Sequence, residues 1–215
     1  MNRKLEILIP KELSDITLGQ YQNYALLSEG VTDVARLSEI SVISFCNISL
    51  ENLRLLSSSQ VNEIVEKLSV VIEKFDEPQL LTKKFRLRGT EYGFIPNLDN
   101  ITYGENRDIL AHLKDGLGSM HKTMAVLYRP TKEQTFAQDY AIDKYEVPVP
   151  HQKLFREMPL DVVLGAQVFF YNLIKELLAH IPKYLRKEMG EEKYRELIQK
   201  VSTKQIGGSM INFIT

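Results

Sequence analysis

"KKFRLRGTEYGFIPNLDNITYGE", Lys83 to Glu105, decides between an all-helical chain and one that also carries a sheet. Apolar and polar residues alternate on both sides of Gly89-Thr90-Glu91, with Phe85 and Leu87 on one arm and Tyr92 and Phe94 on the other, which is the pattern of a β-hairpin. Ile95-Pro96 closes the second arm, because proline confines its predecessor to extended backbone. Thr102 followed three residues later by Glu105 then has capping-box spacing: the hydroxyl accepts from a free amide of the first helical turn, and the longer side chain reaches back. The stretch therefore predicts strand, Ile-Pro, turn and capped helix in succession.

The same phrase occurs once before. "DITLGQ", Asp15–Gln20, trails Ile9-Pro10, with Thr17 and Gln20 in the places of Thr102 and Glu105. Ile16 and Ile101 stand where a hydrophobic staple belongs. A helix start with a nearby glycine can also hold an anion, but Gly19 and Gly104 lie inside the first turn and not in a preceding Gly-rich loop. Glycine at these positions fits close packing of the helix start against a strand. The two phrases mark two similar halves, about residues 1–80 and 81–204, of one compact unit, with 205–215 as a flexible apolar C-terminal tail.

Working outward, an opening strand is expected at Leu5–Ile9, then helices over Leu18–Ser28, Val34–Cys46, Leu50–Leu56 and Val61–Phe75, the last with Val61, Ile64, Val65, Leu68, Val71 and Ile72 at helical spacing. Beyond the hairpin a helix runs from Thr102 through Leu113, breaks at "DGLGS" and resumes through "MHKTMAVLYR" to Pro130. Thr131–Pro150 reads as a polar loop with one or two short strands. Pro159 and Asp161 open a long apolar helix to about His180, and a charged helix covers Tyr184–Val201. The fold class is α+β, mainly α-helical, with an N-terminal strand and a central β-hairpin between two helical regions.

The 215 residues carry 27 basic and 28 acidic side chains, so the positive field that non-specific nucleic-acid binding needs is missing. Cys46 is the only cysteine, and its apolar setting predicts a buried, inert thiol in a reducing compartment. His112, His121, His151 and His180 lack metal-ligand spacing. The apolar run near the N-terminus is cut by Glu6 and Pro10, too short for a secretory signal, and Leu160–Ile174 is interrupted by Asp161, Gln167 and Asn172, below the roughly 18 apolar residues of a membrane span. These features lead to the expectation of a soluble chain made and kept in a cytoplasm, with no nucleic-acid or membrane partner.

Candidates for chemistry are thin. Met120, His121 and Met124 fit a core face with a histidine at its edge better than a soft-metal set, and Asp139, Asp143 and Glu146 fall in the polar loop. No catalytic, cofactor-binding or metal-ligating set is expected. Two groups suit a partner instead. Lys83, Lys84, Arg86 and Arg88 put four cations on the first hairpin arm, where an acidic surface could meet them, and Met210, Ile211, Phe213 and Ile214 form an apolar tip behind the Gly207-Gly208 hinge. The cations of the last helix are mostly matched by Glu188, Glu191, Glu192 and Glu196.

The segments "EYGFIPNLDNITYGE", "MHKTMAVLYRP" and "MPLDVVLGAQVFFYNL", in that order, with the opening "IPKELSDITLGQYQ", resemble small virion-morphogenesis proteins of tailed bacteriophages and prophages of Bacteroidetes-type hosts, which are compared with tail assembly chaperones. The resemblance spans about Tyr92–Leu173 and the N-terminal phrase. It implies a non-enzymatic protein that works by protein–protein contact: a tail assembly chaperone, or a minor component retained in the virion. The implied partners are other phage structural proteins, such as tape-measure or tail proteins, or a second copy of the chain, in the cytoplasm of the bacterial host or in the particle. A small enzyme or ligand-binding protein is the alternative of another class and would need a pocket joining His121 to the 131–150 loop. A phage-encoded regulator of a host enzyme would use the same binding chemistry.

Overall fold

The computed structural model describes residues 6–132, 140–147, 149–170, 190, 192, 193 and 195, with residue 99 described in its backbone only. The chain divides into two compact units, Met1–Val168 and Phe169–Thr215, and the first runs through the expected boundary near residue 80. It is mainly helical with one four-stranded antiparallel sheet, an α+β fold. The strand expected at Leu5–Ile9 is corrected: residues 6–9 form no strand, and Leu5 lies outside the described residues. A short apolar run makes a strand only where another strand pairs with it, and none does among the described residues.

Helices α1 (Leu18–Ser28), α2 (Val34–Phe45), α3 (Leu50–Arg54) and α4 (Ser58–Glu73) form the first helical region. Side chains mark each start: Thr17 caps α1, Asp33 accepts from the amides of Ala35 and Arg36, Ser49 caps α3, and Ser57 with Gln60 makes a capping box on α4. Ile64, Leu68 and Val71 of α4 are buried, one turn apart, against α2, where Val42 and Phe45 are buried in turn.

The sheet order is β1 (Lys84–Leu87), β2 (Thr90–Phe94), β3 (Tyr128–Lys132), β4 (Ala141–Ile142). Leu87 pairs with Thr90, so the hairpin turn is Arg88-Gly89, one residue earlier than the sequence suggests. Both turn residues have positive φ, 50° and 83°, the type I′ geometry that matches the twist of the strands. Phe85, Tyr92, Phe94 and Tyr128 share one face: Phe85 stacks on Tyr92 with centroids 5.7 Å apart, and Phe155 meets Tyr92 edge-on at 5.1 Å. Edge-to-face pairs of this kind add about 0.5–1.5 kcal/mol each beyond burial.

The second helical region holds α5 (Tyr103–Lys114) and α6 (Met120–Leu127). The helix expected to reach Pro130 stops at Leu127, because Phe94 pairs with Tyr128 and Tyr92 with Pro130. Met120 and Met124 are buried, and Met120 Sδ accepts from Gln167 Nε2 at 3.9 Å. α7 opens at residue 160 and is described over residues 160–168 of this unit.

Both copies of the repeated phrase form complete capping boxes. The Thr17 amide donates to Gln20 Oε1 at 2.7 Å and the Gln20 amide to Thr17 Oγ1 at 3.2 Å; the Thr102 amide donates to Glu105 Oε2 at 2.6 Å and the Glu105 amide to Thr102 Oγ1 at 3.2 Å. Each also carries a 3-10 turn between Ile-Pro and the cap, Leu13–Asp15 and Leu98–Asn100. The staple expected at Ile101 is corrected, since the facing position of α5 is the polar Asn106, which is exposed. The glycines do admit close neighbours, though not strands. A Cβ on Gly19 would lie 2.9 Å from the Arg156 carbonyl oxygen, and one on Gly104 2.9 Å from the Tyr145 ring. The start of α1 is clipped to that of α7: the Leu18 amide donates to the Met158 carbonyl and the Leu160 amide to the Ile16 carbonyl, both at 2.9 Å.

Candidate functional site

Three places on the first unit collect polar or exposed apolar groups. On the hairpin arm, β1 carries Lys84 and Arg86 on the face opposite the aromatic cluster, with Lys83 before the strand and Arg88 in the turn. Lys84 sits 3.5 Å from Glu91 and 5.3 Å from the centroid of Tyr140. Arg88 Nε lies 2.6 Å from Glu157 Oε2, and that hydrogen bond, followed by the charge of the arginine, lowers the pKa of the Glu157 carboxyl. A hydrogen bond from the Thr131 hydroxyl, ahead of the charge of Lys84, holds the Glu91 carboxyl below its ordinary range. Lys83 and Arg86 are exposed and make no ion pair among the described residues. Of the four expected cations, then, two are answered within the fold and two face solvent.

The second place is the start of α5. Glu105, 3% exposed, turns one carboxylate oxygen to its cap and the other to Arg129, whose Nη1 lies 2.6 Å away on β3. The contact is close without being aligned as a hydrogen bond, and Arg129 Nε is buried with no hydrogen-bond partner among the described residues. Tyr145 donates to Asp108 one turn along α5, and burial first, then that bond and the acid's charge, raise the tyrosine pKa. Another face of α5 is open, with Tyr103 79%, Leu110 58% and Leu113 39% exposed and the exposed Asn106 among them. At about 100° per residue these three fall within roughly 80° of one another around the helix.

The third place is an open groove of about 1020 Å³ at the start of α1, lined among others by Thr17, Gln20, Asn23, Ser44, Cys46 and Arg156. Gln20, besides capping, donates to the Phe45 carbonyl at 2.9 Å. Burial pushes the Cys46 thiol up to about 11, which keeps it protonated at neutral pH and suppresses nucleophilicity. His121 lies elsewhere: its Nδ1 is 3.2 Å from Gln22 Nε2, which also donates to the carbonyls of Leu117 and Gly118. Of the 131–150 segment, Tyr140 and Tyr145 pack on the sheet and on α5, and residues 133–139 and 148 lie outside the described residues.

Sequence reasoning placed the caps and the basic arm. It missed the Glu105–Arg129 pair and the outward stripe of α5. A trace of the pair is present, in that the second phrase ends in Glu where the first ends in Gln, and an arginine interrupts "MAVLYRP". Met210, Ile211, Phe213 and Ile214, the expected apolar tip, lie outside the described residues. Among the described residues no group of His, Cys, Asp or Glu is arranged to hold a metal ion, and no helix is long and apolar enough to cross a membrane. Comparison with protein-family models, with curated proteins and with solved structures returned no match.

Proposed function

We propose that this chain is a non-enzymatic binding protein of tailed-phage assembly, acting most simply as a tail assembly chaperone that covers an aggregation-prone partner. The resemblance of its segments to virion-morphogenesis proteins gives the context. The observation that carries the reading is the solvent-facing stripe Tyr103, Leu110 and Leu113 on α5, which lies inside the resembling stretch. A helix that buries Glu105 and Ile109 and leaves Tyr103, Leu110 and Leu113 exposed offers a ready face for a partner's apolar surface.

Co-expression with tape-measure and tail proteins tests this reading. The chain should raise the soluble yield of one of them and co-purify with it. Leu110→Asp should abolish both effects while leaving the melting temperature of the free chain unchanged, because Leu110 is exposed. Capture that ignores Leu110→Asp, or no solubilised partner, sinks the reading. Mass spectrometry of purified particles separates a chaperone, nearly absent there, from a minor virion component, present in stoichiometric amount.

A further inference from the structure

We infer that the outer edge of β1 is a strand-addition site for an acidic, extended segment of a partner protein; this rests on the binding-protein reading and gives it a second, chemically distinct surface. β1 is an edge strand of the sheet. Leu87 opposes Thr90 across the two-residue turn, and the Phe94 amide donates to the Lys83 carbonyl at 2.8 Å. In an antiparallel pair, residues that exchange both hydrogen bonds alternate with residues that exchange none. Counting from the turn, Leu87, Phe85 and Lys83 bond inward to β2, whereas Arg86 and Lys84 turn their N–H and C=O groups outward. No hydrogen bond among the described residues reaches those outward groups.

Upstream, the edge is closed. The chain at Leu80 runs so near α7 that a Cβ on Gly165 would lie 2.2 Å from the Leu80 carbonyl oxygen. The open window begins at Lys84, and Leu80, four residues before it, is 85% exposed.

Charge selects the occupant. A second copy of this chain paired edge to edge would set Lys84 and Arg86 against their own equivalents, and like charges across a ladder destabilise it. Edge lysines deter indiscriminate pairing for the same reason. An incoming strand with Glu or Asp on the face shared with Lys84 and Arg86 reverses the sign. It would meet Arg86, which makes no ion pair among the described residues, and add a second carboxylate beside Lys84, whose contact with Glu91 is a long 3.5 Å, while its main chain satisfies the outward groups.

Three labelled eight-residue peptides test the inference on the full chain: one alternating Glu with Val, one with Lys in place of Glu, and the acidic one N-methylated on alternate amides. Fluorescence anisotropy should show the acidic peptide binding about tenfold or more tighter than either control, and weakening as salt rises. Amide exchange at Lys84 and Arg86 should slow in its presence. Lys84→Gln with Arg86→Gln should weaken it severalfold at an unchanged melting temperature. No binding, equal binding of the N-methylated peptide, or protection elsewhere would each overturn strand addition, and a salt-stabilised dimer disrupted by Arg86→Glu would assign the edge to a second copy. Peptide failure alongside Leu110-dependent partner solubilisation would remove this inference alone; peptide binding with no solubilised partner would remove only the assembly reading.

Discussion

Glu105→Gln isolates a single charge. The residue is 3% exposed; one oxygen takes the Thr102 amide at 2.6 Å and the other lies 2.6 Å from Arg129 Nη1. Glutamine keeps the shape and the cap acceptor, so the substitution strips only the counter-charge from an arginine whose side chain is 12% exposed. Removing one member of a buried pair costs about 3–5 kcal/mol in general. Here the amide dipole survives and the contact is not aligned as a hydrogen bond, which places the cost near ~2–3 kcal/mol. For a chain of this size that lowers the melting temperature by about 4–12 °C. Thr102→Ala, which removes half of the capping box, should cost about 1 kcal/mol, or about 2–4 °C. Thermal and urea unfolding of both variants give the comparison, and a cycle with Arg129→Met gives the coupling, expected at ~1 kcal/mol or more. If Glu105→Gln is no worse than Thr102→Ala, or if the double variant is additive within about 0.5 kcal/mol, the pair contributes nothing beyond the cap.

Thr17→Ala should lose about 1 kcal/mol by the same capping argument, and an unchanged urea midpoint would refute it. Burial first, then the charge of Arg156 and, more weakly, those of Lys122 and His112, hold His121 below the ordinary histidine value. The unfolded chain therefore takes up its proton first as pH falls through about 6.5, so this contribution to stability is intact above that pH and declines on acidification. Urea midpoints between pH 5 and 8 should flatten in His121→Gln, and an identical slope in both proteins would contradict this. Gly165→Ala forces a Cβ to within 2.2 Å of the Leu80 carbonyl oxygen and should cost about 1–3 kcal/mol or more, measured as a drop in melting temperature. A neutral result would mean that the chain at Leu80 yields freely.

Local signals carried much of this fold. The bounds of α1, the hairpin arms and both capping boxes follow from spacing, because each depends on residues within a few positions of one another. What escaped depends on distant partners. Tyr128 and Arg129 continue a helical pattern, and nothing nearby opposes a helix until Pro130; pairing with Phe94 and Gly93, more than thirty residues upstream, makes them strand. Residues 6–9 failed in the opposite sense, as part of a short apolar run with no strand partner among the described residues. The spacing marks Glu105 as a cap, which it is, but a capping glutamate looks the same in sequence whether solvent or Arg129 lies beyond it. The basic arm was legible as charge, while the answering Glu157 lies 69 positions away in sequence.

The clip between the starts of α1 and α7 sets an order in time. The Leu18 amide finds its acceptor at Met158, so a nascent chain displays the start of α1 long before its lid exists. At about 5–20 residues per second the interval is on the order of ten seconds. Ile16 and Leu18, fully covered in the finished fold, spend that interval without this part of their surroundings. A protein proposed to shield others is thus, during its own synthesis, an exposed chain in need of cover.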